Sequence, residues 1–515
     1  MKLNKLSLAV AASLAASASG TASAIDVYLT SATALRDTMS RMVSEYCTGA
    51  PGTFRVTEFD TGASSDKDFR VYECTFKPSS GPTGIPALGT GVGGNGTLDL
   101  GNAVMRIFHT VKVDASLGGS IVGVMPIYRP IDMQFVTPAG VGALPAGCVA
   151  LANETIGTKS WPKAKCNTKP RRAPNASDPG SGNNGGVHIG VSDTRTDNYV
   201  GLNLANVVQT PGLFLLDTPD EITHWSTALS PTELTAAPPV PFIQLGFGIA
   251  VTDNLFTATP ALTNLSHSQI GSIFSGAVDN WTEVGGPNEP VTICRRTQGS
   301  GTQASWNAMA NDYPCKANAS PFGALAVADQ FSTGSGLHEG TGNHALEVIE
   351  NAGTGDVKKC LNDAFDAGKM ALGILSLENN ESNLGAGKNW QFVALDGVQL
   401  FDEGETFVNT VDGVVDRIRE ERMTLGNYNY SQEPTIQWRT AAVNGLPPAP
   451  LAQKAFGIVL RDNAGTPGIT TKLPGVVSLP KHASATVSCM TPTTGVSSMT
   501  RDGNVCQTLV RSSCL

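Results

Sequence analysis

The residue types best suited to chemistry lie in one short turn between a predicted strand and a predicted helix. The turn is Gly299-Ser300-Gly301-Thr302, and Arg296 stands three residues before its first glycine. Backbone N–H groups at a helix start, two hydroxyls and the positive end of the helix dipole can together bind an anion. The Arg296 guanidinium can add a bidentate contact. The segment therefore predicts an anion site, although a turn of this kind taken alone is weak evidence.

Three more polar loops follow predicted strands. They come after Leu29, Val113 and Val191. Because ligands of open α/β sheets bind at the carboxyl ends of strands, these loops are predicted to share one site with Arg296. Singly, each loop is also explained as a local cap or turn. Their recurrence at strand ends favours a common site.

The elements that must position these loops alternate between strand and helix. A strand at 25–29 leads into a helix from about 34 to 46, and Ser266 and Gln269 form a capping box before a further helix. A strand at 291–294 precedes the anion-binding turn and a helix at about 303–311. Strand alternation places Arg295 on the side opposite Arg296, facing solvent. The alternation predicts an α/β fold with mostly parallel sheets.

Composition and missing motifs exclude several classes of function. The 515-residue chain carries a formal net charge of −9, and no basic stripe is present, so nucleic acid is excluded as a partner. Beyond the N-terminus no apolar run is long enough to span a membrane. His338, Glu339 and His344 lack metal-ligand spacing, and no nucleophile-elbow or phosphate-loop fingerprint appears. We expect no catalytic residues, no metal and no cofactor.

The N-terminus and the cysteines indicate export. Lys2 and Lys5 precede an apolar stretch at 6–16, and Ala22-Ser23-Ala24 matches a signal-peptide cleavage site, so residues 1–24 are predicted to be removed. We expect a periplasmic or extracellular protein. The ten cysteines then favour disulfides. Spacing suggests three pairs but does not fix the connectivity: Cys47–Cys74, Cys148–Cys166 and Cys294–Cys315.

These motifs resemble those of a known family. Arg296-x-x-Gly299-Ser300-Gly301-Thr302, with the segment 269–281 before it, is similar to the signature of the phosphate-binding proteins of ABC importers. These PstS-like proteins have the two-lobed type II periplasmic binding protein fold. The loops at 30–34, 115–119 and 192–193 resemble other ligand loops of that family. The resemblance implies an exported solute-binding protein that captures phosphate or a related oxyanion and delivers it to the membrane subunits of an ABC transporter. It implies as ligand contacts Thr33, Ala34, Ser116, Asp193, Arg296, Ser300, Gly301 and Thr302.

One departure from the family pattern concerns specificity. Gln298 stands where the family has an aspartate. A carboxylate cannot donate a hydrogen bond and so disfavours fully deprotonated anions such as sulfate, whereas an amide can donate or accept. We therefore expect weaker discrimination between phosphate and sulfate, or a different ligand.

The chain is also longer than typical members of the family. The resemblance implies a discontinuous first lobe at 25–240 and 376–515, with the second lobe at 241–375. The excess length lies in an insertion at about 126–186 and in a disulfide-tied C-terminal extension at about 447–515. These segments support an alternative function, namely a secreted interaction or structural protein that keeps the fold without a transport role. A hydrolase ranks last, since the sequence shows no nucleophile–base pairing.

Overall fold

The computed structural model describes most of the chain between residues 25 and 511. The described ranges are 25–48, 54–59, 68–76, 104–111, 119–131, 133–136, 138–156, 159–166, 171–172, 186–205, 219–316, 346–379, 389–400, 407–408, 415–416, 420–464, 475–479 and 496–511. The predicted signal peptide, Ser116, Cys489 and Cys514 lie outside these ranges.

The strands are mostly short. In chain order they are β1 Ile25–Ser31, β2 Cys47–Thr48, β3 Arg55–Phe59, β4 Phe69–Phe76, β5 Val104–Thr110, β6 Gln134–Phe135, β7 Cys148–Ile156, β8 Lys159–Cys166, β9 Arg171–Arg172, β10 Ile189–Ser192, β11 Val240–Pro241, β12 Ile243–Thr252, β13 Asn264–Leu265, β14 Thr292–Arg296, β15 Glu347–Asn351, β16 Ala371–Ser376, β17 Trp390–Phe392, β18 Ala394–Leu395, β19 Phe407–Val408, β20 Val415–Asp416, β21 Ser431–Gln432, β22 Thr435–Gln437, β23 Val476–Ser478, β24 Met499–Thr500 and β25 Val510–Arg511.

Helices alternate with these strands in both halves of the chain. The α-helices are α1 Arg36–Tyr46, α2 Met125–Tyr128, α3 Pro219–Ser226, α4 Pro231–Ala236, α5 Asp253–Phe256, α6 His267–Phe274, α7 Gly301–Asn311, α8 Thr354–Asp366, α9 Glu420–Thr424 and α10 Leu451–Asn463. The predicted capping box is present at α6, where the Ser266 hydroxyl accepts from the Gln269 N–H and the Gln269 side chain accepts from the Ser266 N–H. Among the described residues, no helix combines the length and apolar composition needed to cross a bilayer.

The first sheet carries the strands that end near the candidate loops. Its order is β11-β22-β10-β1-β5-β4-β3-β8-β7. Strand β1 lies between β10 and β5 and runs parallel to both, so the carboxyl ends of these three strands meet at one edge. The hairpin β7–β8, from the predicted insertion, extends the far side of this sheet.

The second sheet carries the strand that leads to the arginine turn. Its order is β15-β14-β16-β12-β17, and β14 runs parallel to both of its neighbours. Elsewhere this sheet is antiparallel, because β12 pairs in that sense with all of its partners. The sheets are therefore mixed instead of mostly parallel. The parallel neighbours of β1 and β14 are all reached through long connections, as parallel pairing requires, whereas the short β7–β8 connection imposes an antiparallel pair.

Two extended segments carry the chain between the sheets. The outgoing segment is β11 with β12, and the return segment is β21 with β22. They lie side by side, and the Phe242 N–H donates to the Pro434 carbonyl at 3.1 Å. The predicted second lobe ended at residue 375, but β17, β21 and β23 still pair with β12. The return crossing thus lies at 431–437, and the assignment of the remaining segments to lobes stays a prediction.

Four disulfides join described cysteines. Cys47–Cys74 and Cys148–Cys166 form as predicted. The predicted Cys294–Cys315 pair is wrong, because Cys294 on β14 bonds Cys360 on the overlying helix α8, and Cys315 bonds Cys506 across a sequence separation of 191 residues. Spacing favoured the nearer partner, but the packing of α8 on β14 brings the distant cysteine closer.

Candidate functional site

The predicted anion-binding turn is formed at the carboxyl end of β14. The Ser300 N–H donates to the Thr297 carbonyl at 3.2 Å, and Gly299 adopts a φ of +85°, which favours glycine. Ser300 is the N-cap of α7, and its hydroxyl accepts from the Gln303 N–H at 3.4 Å. Gly301 and Thr302 are the first helical residues. The dipole and the first N–H groups of α7 therefore point to the carboxyl edge of the first sheet.

Arg296 connects the two sheets. Its side chain is 2% exposed. Its Nε donates to the Asn351 carbonyl at 3.3 Å, and Nη2 donates to the Ala352 carbonyl at 2.9 Å and to Thr33 Oγ1 at 3.2 Å. Backbone carbonyls at the end of β15 thus orient the guanidinium, and the Thr33 hydroxyl, which follows β1 of the first sheet, accepts a hydrogen bond from it.

Asp193 lies opposite, directly after β10, and is 1% exposed. Thr302 Oγ1 donates to Asp193 Oδ2 at 3.0 Å, whereas Oδ1 is buried without a hydrogen-bond partner. Burial raises the pKa of Asp193 to about 6, against the lowering effects of the Arg296 charge and of hydrogen bonds involving Ser120 and Thr302. A buried carboxylate oxygen with no donor is costly unless a ligand supplies one.

Ser120 also lies at this site, which the sequence did not predict. Its hydroxyl accepts from the Asp193 N–H at 3.3 Å. A Cβ added at Gly301 would lie 2.3 Å from Ser120 Oγ, so only glycine allows this approach of α7 to the first sheet. The sequence feature that could have indicated Ser120 is the glycine pair Gly118-Gly119 before it, because glycines permit a close approach of the backbone.

Further contacts join the two sheets around Asp193. The Ile121 N–H donates to the Gly299 carbonyl at 3.1 Å, and the Asn307 amide donates to Asn203 Oδ1 at 2.7 Å. The Tyr313 hydroxyl donates to the Val200 carbonyl at 3.1 Å. The structure is therefore closed, with α7 held against the carboxyl ends of β1 and β10.

The remaining predicted site residues have different positions. Ala34 is buried next to Thr33 in the 3₁₀ turn Thr33–Leu35. Gln298 is half-buried in the turn between Thr297 and Gly299. Ser116 lies outside the described residues. The structure thus brings together Thr33, Asp193, Arg296 and the N-terminus of α7.

Arg295 does not face solvent as predicted. It is 6% exposed and lies across from Glu350 in the register of β14 with β15. All five residues of β14 are buried, so both faces of the strand are covered and alternation does not bring Arg295 to water. Burial lowers the pKa of Arg295, and the Glu350 charge opposes that effect.

The structure also contains a serine–histidine pair that the sequence did not reveal. Ser31 Oγ lies 2.6 Å from His109 Nε2, and burial lowers the pKa of His109 to about 3. Both side chains are buried, so the pair is enclosed in this conformation. Among the described residues, no group of three or more His, Cys, Asp or Glu side chains could hold a metal ion.

Comparison with known proteins gives a family match for the middle of the chain. Residues 221–399 match a family model described as a PBP (periplasmic binding protein) superfamily domain. This match includes β14, Arg296 and the start of α7.

Solved structures that resemble the chain do so at low identity. One from Clostridium perfringens, named as a phosphate ABC transporter substrate-binding protein with bound phosphate, is 17% identical, with 48% of this chain and 75% of that chain covered at a TM-score of 0.31. An ABC-type phosphate transport receptor from Vibrio cholerae is 15% identical, covering 45% and 70% at a TM-score of 0.26. PstS from Borrelia burgdorferi is 14% identical, covering 49% and 76% at a TM-score of 0.27.

The family match agrees with the architecture described above, in which two α/β sheets are joined by two crossing segments. The predicted resemblance is thus supported at the level of the superfamily for residues 221–399, which carry a periplasmic binding protein superfamily domain. The two mixed α/β sheets and their helices fit the two-lobed type II periplasmic binding protein fold.

Proposed function

We propose that this protein is an exported solute-binding protein that closes its two lobes over phosphate or a related protonated oxyanion, for delivery to an ABC transporter. The observation that carries the proposal is the unpartnered Asp193 Oδ1, which is buried between the lobes beside Arg296 and the N-terminus of α7. The superfamily match supports a solute-binding role for the fold.

The chemistry of Asp193 favours a ligand that can donate a hydrogen bond. Hydrogen phosphate retains an O–H near neutral pH, whereas sulfate has none. With a pKa of about 6, Asp193 is mostly ionised at pH 7 and can only accept. A fully deprotonated anion would meet this carboxylate without a bridging proton, and the contact would be repulsive.

The other residues offer charge and donors to the same oxyanion. Arg296 supplies a positive guanidinium, and Ser300, Gly301 and Thr302 supply backbone and hydroxyl donors at the helix start. Thr33, Ala34 and Ser116 are proposed as contacts from the first lobe. The ligand would take over the hydrogen bonds that Thr302 now gives to Asp193 and that Arg296 gives to Thr33.

Gln298 is proposed to relax specificity. Its amide can donate to sulfate, so Asp193 is left as the carboxylate that excludes unprotonated anions. The phosphate-over-sulfate preference is therefore expected to be moderate.

The test is isothermal titration of the refolded, phosphate-stripped protein with phosphate. We expect binding in the wild type and its loss in Arg296→Met. Arg195→Met, which changes a half-exposed arginine outside the site, is the control and is expected to bind like the wild type. The absence of heat in a folded wild type would contradict the proposal and favour the alternative, a secreted interaction protein.

A phosphatase assay distinguishes binding from hydrolysis. The enclosed Ser31–His109 pair is the feature that favours a hydrolase. We expect no turnover of a phosphomonoester by the wild type. Turnover that disappears in Ser31→Ala would replace the binding proposal with an enzymatic one.

A further inference from the structure

The described part of the C-terminal extension lies against the segments that join the two lobes. Residues 496–507, here called the strap, contact the return segment at Glu433. The Arg501 N–H donates to Glu433 Oε1 at 2.7 Å, and the Gly503 N–H donates to Glu433 Oε2 at 2.5 Å. Glu433 is buried between β21 and β22. Its two carboxylate oxygens accept these hydrogen bonds from backbone N–H groups of the strap.

The strap contacts the outgoing segment as well. A Cβ added at Gly503 would lie 3.2 Å from Pro241 Cγ, so the strap backbone packs directly on β11. On the return side, the Arg501 guanidinium also bonds Asn429, which lies just before β21. It donates to the Asn429 carbonyl at 3.1 Å and to Asn429 Oδ1 at 2.5 Å. One short stretch of chain thus holds both crossing segments.

The strap is also joined covalently to the helix that carries the site. Cys506 is disulfide-bonded to Cys315, which follows the last residue of α7 by four positions. The other end of α7 is Gly301, beside Asp193 and Arg296. A continuous path therefore runs from the crossing segments through Glu433, the strap and the disulfide to α7.

We infer that the strap positions α7 for ligand binding by limiting how far the two lobes open, with Glu433 and the Cys315–Cys506 disulfide as its positioning elements. Hinge closure in two-lobed proteins concentrates the change of backbone angles in a few connecting residues. A strap that is hydrogen-bonded to the return segment, packed on the outgoing segment and disulfide-bonded beyond the end of α7 opposes that change. It keeps a larger fraction of the protein in the closed form, and a ligand that needs this form then binds more tightly. The binding part of this inference rests on the proposed function.

The experiment removes the covalent link and measures opening without any ligand. The double variant Cys315→Ser/Cys506→Ser is compared with the wild type by small-angle X-ray scattering of the ligand-free protein. Cys148→Ser/Cys166→Ser, which removes the disulfide of the β7–β8 hairpin, is the matched control. We expect a larger radius of gyration for the first double variant and an unchanged value for the control.

Phosphate binding by the same proteins gives a second readout. We expect the dissociation constant of Cys315→Ser/Cys506→Ser to rise about fivefold, mainly through faster release. Unchanged scattering in that variant would overturn the inference. If the wild type binds no phosphate, the proposed function fails, whereas the scattering comparison still decides the role of the strap.

A second variant guards against misfolding of the double mutant. Glu433→Ala leaves the disulfide intact and removes the two hydrogen bonds from Arg501 and Gly503. We expect a change of scattering in the same direction. A folded Glu433→Ala protein as compact as the wild type would contradict a positioning role for Glu433.

Discussion

Thr302 and Asp193 form a hydrogen bond of 3.0 Å between elements that follow strands of the two different sheets. Thr302 belongs to the first turn of α7, and Asp193 follows β10. The bond shows that the N-terminus of α7 reaches the carboxyl edge of the first sheet, where an oxyanion would find a guanidinium, hydroxyls and a buried carboxylate together. The predictions below depend on this juxtaposition.

The first prediction concerns the close approach at Gly301. Gly301→Ala adds a methyl group 2.3 Å from Ser120 Oγ, so α7 cannot reach the first lobe without displacement. We expect phosphate affinity to fall by about 10²-fold, the upper part of the usual range for a coupling of this kind. Gly355→Ala in α8 is the control, because its added Cβ meets no atom within 4 Å. Equal affinities in both variants, measured by calorimetry, would contradict the closed geometry.

The second prediction concerns stability in acid. Burial lowers the pKa of His109 and of His188 to about 3 each, whereas an unfolded histidine titrates near 6.5. The unfolded chain therefore binds more protons between these values, and the free energy of unfolding decreases as the pH falls from about 6.5 to 3. The expected loss is about 2 kcal/mol per histidine between pH 7 and pH 5.

Asp193 contributes to the pH dependence of the free energy of unfolding with the opposite sign. Its pKa is raised to about 6 in the folded protein, so its contribution is present at low pH and is lost as the pH rises toward 6. Chemical denaturation of the wild type at pH 5 and 7 checks the balance, with His188→Asn and Asp193→Asn as the two variants. A pH slope left unchanged by His188→Asn would show that this histidine is not buried in its neutral form.

The third prediction concerns Gln298. Restoring a carboxylate with Gln298→Asp adds a second group that cannot donate to sulfate. We expect the phosphate-over-sulfate affinity ratio to rise about tenfold, because one hydrogen bond to a charged group is worth roughly 1.5 kcal/mol. A wild-type ratio already above about 10⁴, or roughly 5.5 kcal/mol, would contradict the idea that Gln298 relaxes selectivity.

The sequence predicted the turn at 299–302 before a helix because its signals are local. Ser300 caps α7 and Gly299 takes a positive φ, and both properties follow from residue type and neighbours in the chain. The crossing strand β12 carries a similarly local signal, because its ten consecutive buried residues are mostly apolar, as expected for a buried strand.

The features that the sequence did not predict depend on distant packing. Ser120 joins the site through the approach of Gly301, and Cys294 bonds Cys360 because α8 covers β14. The return crossing at 431–437 consists of two strands of two and three residues, which are too short to show a periodic pattern. Burial of Arg295 follows from the covering of both faces of β14 by other parts of the chain, which alternation within one strand cannot reveal.

The most direct test of the central claim is the phosphate-over-sulfate affinity ratio of the wild type and of Asp193→Asn, by titration of the phosphate-stripped protein. Asparagine keeps the shape of the side chain but can donate to sulfate. We predict that phosphate binds the wild type more tightly than sulfate does and that the ratio falls about tenfold or more in Asp193→Asn. An unchanged ratio in a folded variant would contradict the claim that Asp193 selects a protonated oxyanion between the closed lobes.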